Sequence, residues 1–207
     1  MPLQDLPQPT FAKPTNRQPG IAGTAKIDFT RPLDTSVLRG KTAIVFDGAK
    51  GLGNGIAAEL ARNGAYVAIC DHDEEAGLKA VTQLNDEGGC ARYFKTDTSS
   101  WESQSEAFIQ ILAWSGGRLD VVVTVPGIVT NNLMMSILPK HHMSGPSPAK
   151  PPTRVFEIDL IGVYYSVTLA LFYFNQIHAN EFDANFRPQL VFIASMASVS
   201  SVAAARS

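Results

Sequence analysis

From residue 41 onward, short apolar runs alternate with longer amphipathic stretches, and this alternation constrains the fold more than any other feature of the chain. The runs at 42–46, 65–70, 91–95, 121–125 and 190–194 are strand-length and rich in Val, Ile, Phe and Ala. Between them, 52–63, 73–85, 101–114 and 153–179 read as helices. The run Val121-Val122-Val123-Thr124-Val125 is β-branched throughout, as expected of a strand covered on both faces. Strands separated by helices of this length pair in parallel through right-handed crossovers. The expected fold class is therefore α/β, a doubly wound parallel sheet.

A chain of 207 residues is long enough for one domain with a substantial core. Residues 1–39 stand apart: Pro2, Pro7, Pro9, Pro14 and Pro19 break any periodicity, and there is no apolar core of a secretory signal. The expected organisation is an irregular extension over 1–39 and a folded domain over 40–207. Pro139, Pro146, Pro148, Pro151 and Pro152 mark 129–152 as a loop, and His141-His142 within it lacks nearby residues at ligand spacing. With 17 basic and 19 acidic side chains and no basic stripe, nothing supports binding to nucleic acid. Cys70 and Cys90 have neither metal-ligand nor CxxC spacing and read as reduced thiols, which points to the cytoplasm. The apolar run 160–174 falls short of the roughly 20 residues that span a bilayer, so it is expected to be a buried helix and not a membrane segment.

The first strand is followed by Asp47-Gly48-Ala49-Lys50-Gly51-Leu52-Gly53 and then by a helix. A glycine-rich turn in that place lets backbone N–H groups and a helix N-terminus approach a pyrophosphate. A tight turn without a ligand is the alternative. Taking Gly53, Gly55 and Ala58 as a GxGxxA fingerprint would start the loop inside the helix, so that register is rejected. Asp71, which ends the second strand 20 residues after Gly51, can accept hydrogen bonds from an adenosine ribose and repel a 2′-phosphate. Equally, Asp71 or Asp73 can cap the helix that follows. Asp71-His72-Asp73 are adjacent on a strand end and do not converge on one ion, so no metal is expected.

The stretch 46–53 resembles the T-G-x-x-x-G-x-G loop of the short-chain dehydrogenase/reductase family, with Gly51 and Gly53 matching, Leu52 in the usual aliphatic place and Gly48 available if the loop shifts by one. Phe46 replaces the family's Thr and Asp47 its first Gly, which puts a carboxylate beside the phosphate site. Further along, Lys95-Thr96-Asp97-Thr98 matches the adenine-contacting acid, and Thr124-Val125-Pro126-Gly127 stands where the family has N-N-A-G, keeping only Gly127. Val155 to Val163 resembles the segment carrying the family's helical Asn, with Asp159 in its place, and Ser195 falls at the catalytic serine. The resemblance implies a Rossmann-like sheet of about five strands in the order 3-2-1-4-5. It implies cofactor contacts from Gly48, Lys50, Gly51, Leu52, Gly53, Asp71, Asp97, Thr98 and Gly127, and catalytic roles for Ser195 and Asp159. Asp71 favours NAD, while Lys50 stands where NADP-preferring members often carry a basic residue, leaving NADP as the alternative.

Hydride transfer between an alcohol and a ketone needs one tuned acid at the reacting oxygen. In the family that acid is a Tyr, followed four residues later by a Lys. Counting about 13 residues from Ser195 places the Tyr at 208, one past Ser207. The resemblance thus implies a small-molecule alcohol or ketone substrate and a homo-oligomer through the helix near 153–179, with turnover not expected from residues 1–207 alone. A non-catalytic nucleotide-binding or interaction protein stays open, because the changes at 47, 124–125 and 159 precede the dyad. The Pro-rich loop and Ser195-Met196-Ala197 are similar to fungal secondary-metabolism members of the family.

Overall fold

The computed structural model describes residues 34–125, 127–128, 153–178 and 187–194. A division of the chain falls between Asp34 and Thr35, and every described secondary-structure element belongs to the second unit. Strands β1 (Thr42–Phe46), β2 (Tyr66–Asp71), β3 (Cys90–Lys95), β4 (Val121–Thr124) and β5 (Gln189–Phe192) form one parallel sheet in the order β3-β2-β1-β4-β5. Helices α1 (Gly51–Arg62), α2 (Glu74–Asp86) and α3 (Trp101–Trp114) follow the first three strands, and α4 (Val163–His178) precedes β5. This is the Rossmann-like doubly wound sheet that the alternation implies.

The core follows from the two-residue period of the strands. Ala43, Val45, Val67, Ile69, Val121 and Val123 point to one face, where Ala57, Ala58 and Ala61 of α1 and Ala80 and Leu84 of α2 cover them. Ile44, Phe46, Ala68, Cys70 and Val122 point to the other, against Phe108 and Ile111 of α3 and Leu169, Ala170 and Phe174 of α4. Both faces of β1 are covered, which is why all five of its residues are buried. Phe46, the departure from the family's Thr, is absorbed here, with its ring 6.1 Å from that of Phe108. Burial pushes the Cys70 thiol up to about 12, leaving it inert, while the free Cys90 is exposed.

At the far end of the sheet Asp120 is fully buried, accepts the Thr42 N–H at 2.8 Å and takes two hydrogen bonds from Arg118, at 2.6 and 3.1 Å. That ties β4 to β1 and fixes their register, in which Phe46 lies opposite Thr124 on one side and Cys70 on the other.

The helix at 153–179 departs from expectation in two ways. Its first part, Phe156–Gly162, is a π-helical segment in which Leu160 is exposed, and α4 is buried on one side only: Tyr164, Leu171 and Phe172 are exposed. The continuous helix Phe156–Ile177 has 22 residues and contains an 18-residue stretch of mean hydropathy 1.3, long and apolar enough to cross a membrane by those measures. The apolar run alone had suggested a shorter span. Its sheet-facing side is occupied by core contacts of Leu169, Ala170 and Phe174, which accounts for part of the hydropathy.

Candidate functional site

Helices α1 and α4 pack on opposite faces of the sheet, so the topological switch falls between β1 and β4, beyond whose C-terminal ends doubly wound folds open a ligand-binding crevice. The glycine loop enters it. A Cβ on Gly53 would collide with the Asp47 carbonyl, so only glycine lets α1 start this close to β1. Gly51 has φ of 54°, and the space where its Cβ would stand is open to 4 Å.

The start of α1 differs from the starts of its neighbours. Asp73 caps α2 by accepting the Ala76 N–H at 3.0 Å, and Ser100 caps α3 by accepting the Ser103 N–H at 3.2 Å. At α1 the N-cap position is Lys50, whose side chain makes no cap, and no acidic residue stands in the first turn. The first N–H groups of α1 therefore keep their partial positive charge, behind a loop with room for a ligand. Such an end fits a pyrophosphate.

Asp71 does not project into the crevice as expected of a ribose acceptor. Its side chain is only 8% exposed. One carboxylate oxygen accepts the Ala49 N–H and the other the Asp73 N–H, each at 3.0 Å. Its carbonyl accepts the Tyr93 hydroxyl at 2.8 Å and the Thr96 N–H at 2.9 Å. In this structure Asp71 pins the glycine loop to the end of β2. The capping role weighed for this pair belongs to Asp73, which also pairs with the exposed Lys50. The hydrogen bond from Lys50 holds the Asp73 carboxyl below its ordinary value.

The register places Asp47 beside Asp71, and the two carboxylates and the His72 ring offer atoms within 4.8 Å of one another. Asp47 thus takes the position that adjacency denies to Asp73; acids gathered in this way are not in themselves an ion site. Asp47 sits at φ of 53°, a left-handed backbone that Asp accepts more readily than most residues. Its carboxyl accepts the Gly127 N–H. Burial, and then the neighbouring Asp71, push that carboxyl above its ordinary value of 3.8, with Asp159 adding to the rise. Asp159 accepts the Ile128 N–H at 3.0 Å. The chain leaving β4 is thus held by two acids, Asp47 through Gly127 and Asp159 through Ile128.

Beyond β3, Asp97 accepts the Ser99 N–H and hydroxyl at 2.9 and 2.6 Å, which hold its carboxyl below the ordinary value, and lies 3.6 Å from Arg154. Thr98 is buried, and its carbonyl accepts Nε2 of Gln104 at 2.6 Å. The same nitrogen donates to the Gly162 carbonyl at 2.8 Å, and the Ser166 hydroxyl donates to Gln104 Oε1 at 2.8 Å. A Cβ on Gly162 would stand 2.5 Å from the Thr98 carbonyl, so the π-helical segment presses directly on the β3 loop. Sequence reasoning missed Gln104, although its spacing from Ala107, Phe108 and Ile111 marks the inner stripe of α3. Arg154 carried no local signal.

Gly48, Lys50, Gly51, Leu52, Gly53, Asp71, Gly127 and Asp159 thus line the ends of β1, β2 and β4 or their exits, with Asp97 and Thr98 beyond β3. Ser195 lies outside the described residues. A shallow hollow over Lys79, Thr82, Gln83, Asp86 and Glu87 sits along α2, away from the strand ends, and gathers no convergent chemistry.

A doubly wound sheet with a glycine loop and an uncapped helix at its switch point belongs to the dinucleotide-binding class of α/β folds. Within that class the short chain dehydrogenase family model matches residues 41–206, and the chain belongs to that family. It is 44% identical over 180 residues to the NADP-dependent dehydrogenase M3 of a Phoma species, covering 86% of this chain and 52% of that protein. It is likewise 44% identical over 183 residues to the NADP-dependent dehydrogenase clz5 of Cochliobolus lunatus, covering 86% of this chain and 62% of that protein. The crystal structure of a short chain dehydrogenase from Mycobacterium smegmatis matches with a TM-score of 0.55 at 28% identity, over 69% of this chain and 55% of that one. The chain therefore spans about half to three-fifths of the length of the relatives it matches.

Proposed function

We propose that this chain binds NADP(H) for an oxidoreductase that interconverts an alcohol and a ketone. The observation that carries the reading is the uncapped start of α1 behind Gly51 and Gly53, at the switch point of the sheet. The bound dinucleotide supplies the hydride donor or acceptor. Gly51, Leu52 and Gly53 would hold its phosphates, Asp97 and Thr98 its adenine end, and Gly127 would form the wall beside β4. NADP is preferred to NAD on three grounds. Both oxygens of Asp71 accept backbone N–H groups, so the residue expected to select NAD is turned inward. The Lys50 ammonium is exposed, and two relatives carry NADP in their names.

Ser195 is proposed to donate to the substrate carbonyl. Asp159, with one oxygen on the Ile128 N–H, is proposed to position the β4 exit. The exposed apolar side of α4 suits self-association, and the reading is of a soluble cytoplasmic protein of fungal secondary metabolism. A non-catalytic nucleotide sensor is the second reading, favoured by the acids at 47 and 159.

Thermal unfolding with NADPH and with NADH tests the proposal. A ligand at 100 times its Kd adds about 2.7 kcal/mol, enough to raise Tm by several degrees. NADPH should give the larger rise. Lys50→Ala should weaken NADPH binding roughly fivefold and leave NADH unchanged, since an exposed cation contributes modestly. No rise with either dinucleotide would overturn both readings.

A further inference from the structure

Among the described residues, Asp47 is faced by Asp71 and His72 from the end of β2, by Asp159 from the π-helical segment, and by the Gly127 N–H from the β4 exit. The nearest lysine in its own loop, Lys50, is engaged by Asp73. Three carboxylates therefore gather where a doubly anionic pyrophosphate would arrive, with the His72 ring beside two of them. They are not equivalent. Asp71 has a backbone N–H on each oxygen, and Asp159 has one at 3.0 Å. Asp47 is half-buried and is the one described non-glycine residue with positive φ. Among the three it alone belongs to the glycine loop that carries Gly51, so it is the acid that a phosphate on that loop would most disturb.

We propose that Asp47 couples nucleotide binding to a proton: the loop accepts a dinucleotide only with the Asp47 carboxyl neutral, so binding transfers one proton from solvent to an Asp47 carboxylate oxygen. This rests on the dinucleotide reading above. Burial and the facing Asp71 already raise the Asp47 carboxyl in the free protein, and two phosphate charges raise it further. Between the free and bound values affinity falls as pH rises, by up to about tenfold per pH unit. Asp47 is thus a specificity-determining residue that admits the anion under acidic conditions and resists it under alkaline ones.

Calorimetric titration of the full chain with NADH and NADPH, from pH 6.5 to 8.5, in buffers of different ionisation heat, reads the proton directly. NADH is the cleaner probe because it lacks the 2′-phosphate, whose own proton titrates near pH 6. The expected result is net proton uptake with both dinucleotides, and binding that weakens with pH. Asp47→Asn keeps an acceptor for the Gly127 N–H and tolerates the left-handed backbone. It should bind more tightly at pH 8.5 than the wild-type chain, with a flat profile and no uptake; binding by the variant alone would support the proposal equally. Identical profiles without uptake in both proteins would overturn the proposal and leave the dinucleotide reading standing. Failure of both proteins to bind at any pH would remove the dinucleotide reading, and the proposal with it.

Stability without nucleotide provides a separate check. A raised folded value means that stability present below the ordinary carboxylate value of 3.8 is lost as pH rises through the folded one. Asp47→Asn should therefore have the higher Tm at pH 8, with the difference closing towards pH 4. A lower Tm for the variant at pH 8 would show that the charge itself holds the loop and would contradict the proposal.

Discussion

Gln104→Leu should lower the unfolding free energy by about 3 kcal/mol, measured by urea denaturation. Gln104 is fully buried, and its amide makes three hydrogen bonds: to the Thr98 carbonyl, to the Gly162 carbonyl and from the Ser166 hydroxyl. Leucine fills most of the volume and restores none of them. Ser166 can still donate to the Gly162 carbonyl at 3.0 Å, so the Thr98 carbonyl bears most of the loss. An isosteric Gln104→Glu separates shape from chemistry. As a carboxylate it would face two carbonyl oxygens and be more damaging at pH 7 than leucine, with recovery as pH falls and the acid becomes a donor. Equal stability of wild type and Gln104→Leu would mean that the join between the β3 loop and α4 contributes little.

Gly53→Ala should remove about 2–4 kcal/mol and weaken dinucleotide binding more than tenfold. The added Cβ meets the Asp47 carbonyl and stands 3.1 Å from the Gly48 Cα, both backbone atoms that no rotamer change can move aside. Either α1 slides away from β1 or the loop is displaced, and both spoil the aim of the N–H groups. Gly51→Ala is the comparison. Its Cβ enters open space, and the strain comes from φ of 54° alone, about 1–2 kcal/mol. If Gly53→Ala proved as mild as Gly51→Ala, the close approach of helix and strand would not be what positions the site.

The elements were legible because short β-branched runs and glycine- or proline-marked boundaries admit few other folds; the bounds of the five strands and of α1 to α3 fall within two residues of those read from the pattern, whereas α4 begins at Val163, after the π-helical segment. The loop glycines were legible for the same reason, since each answers a local backbone demand. What escaped depends on register across the sheet. That Asp71 turns inward to Ala49, or that Asp47 meets Gly127, follows from Phe46 lying opposite both Cys70 and Thr124. No spacing along the chain reveals which residues a parallel sheet will set side by side. Gln104 is a different case: its helical spacing places it among core residues, and a buried amide there required partners that only the fold supplies. The π-helical turn at Phe156–Gly162 had one sequence trace, Gly162, whose need appears only against the Thr98 carbonyl.

The central claim is that the loop and the start of α1 receive the phosphates of a dinucleotide. Amide NMR of the protein titrated with NADPH tests it most directly. The account predicts saturable shifts centred on Gly48, Ala49, Gly51, Leu52 and Gly53, reaching Gly127 through its bond to Asp47. A silent loop, or shifts gathered instead along Lys79, Thr82 and Gln83 on α2, would contradict it.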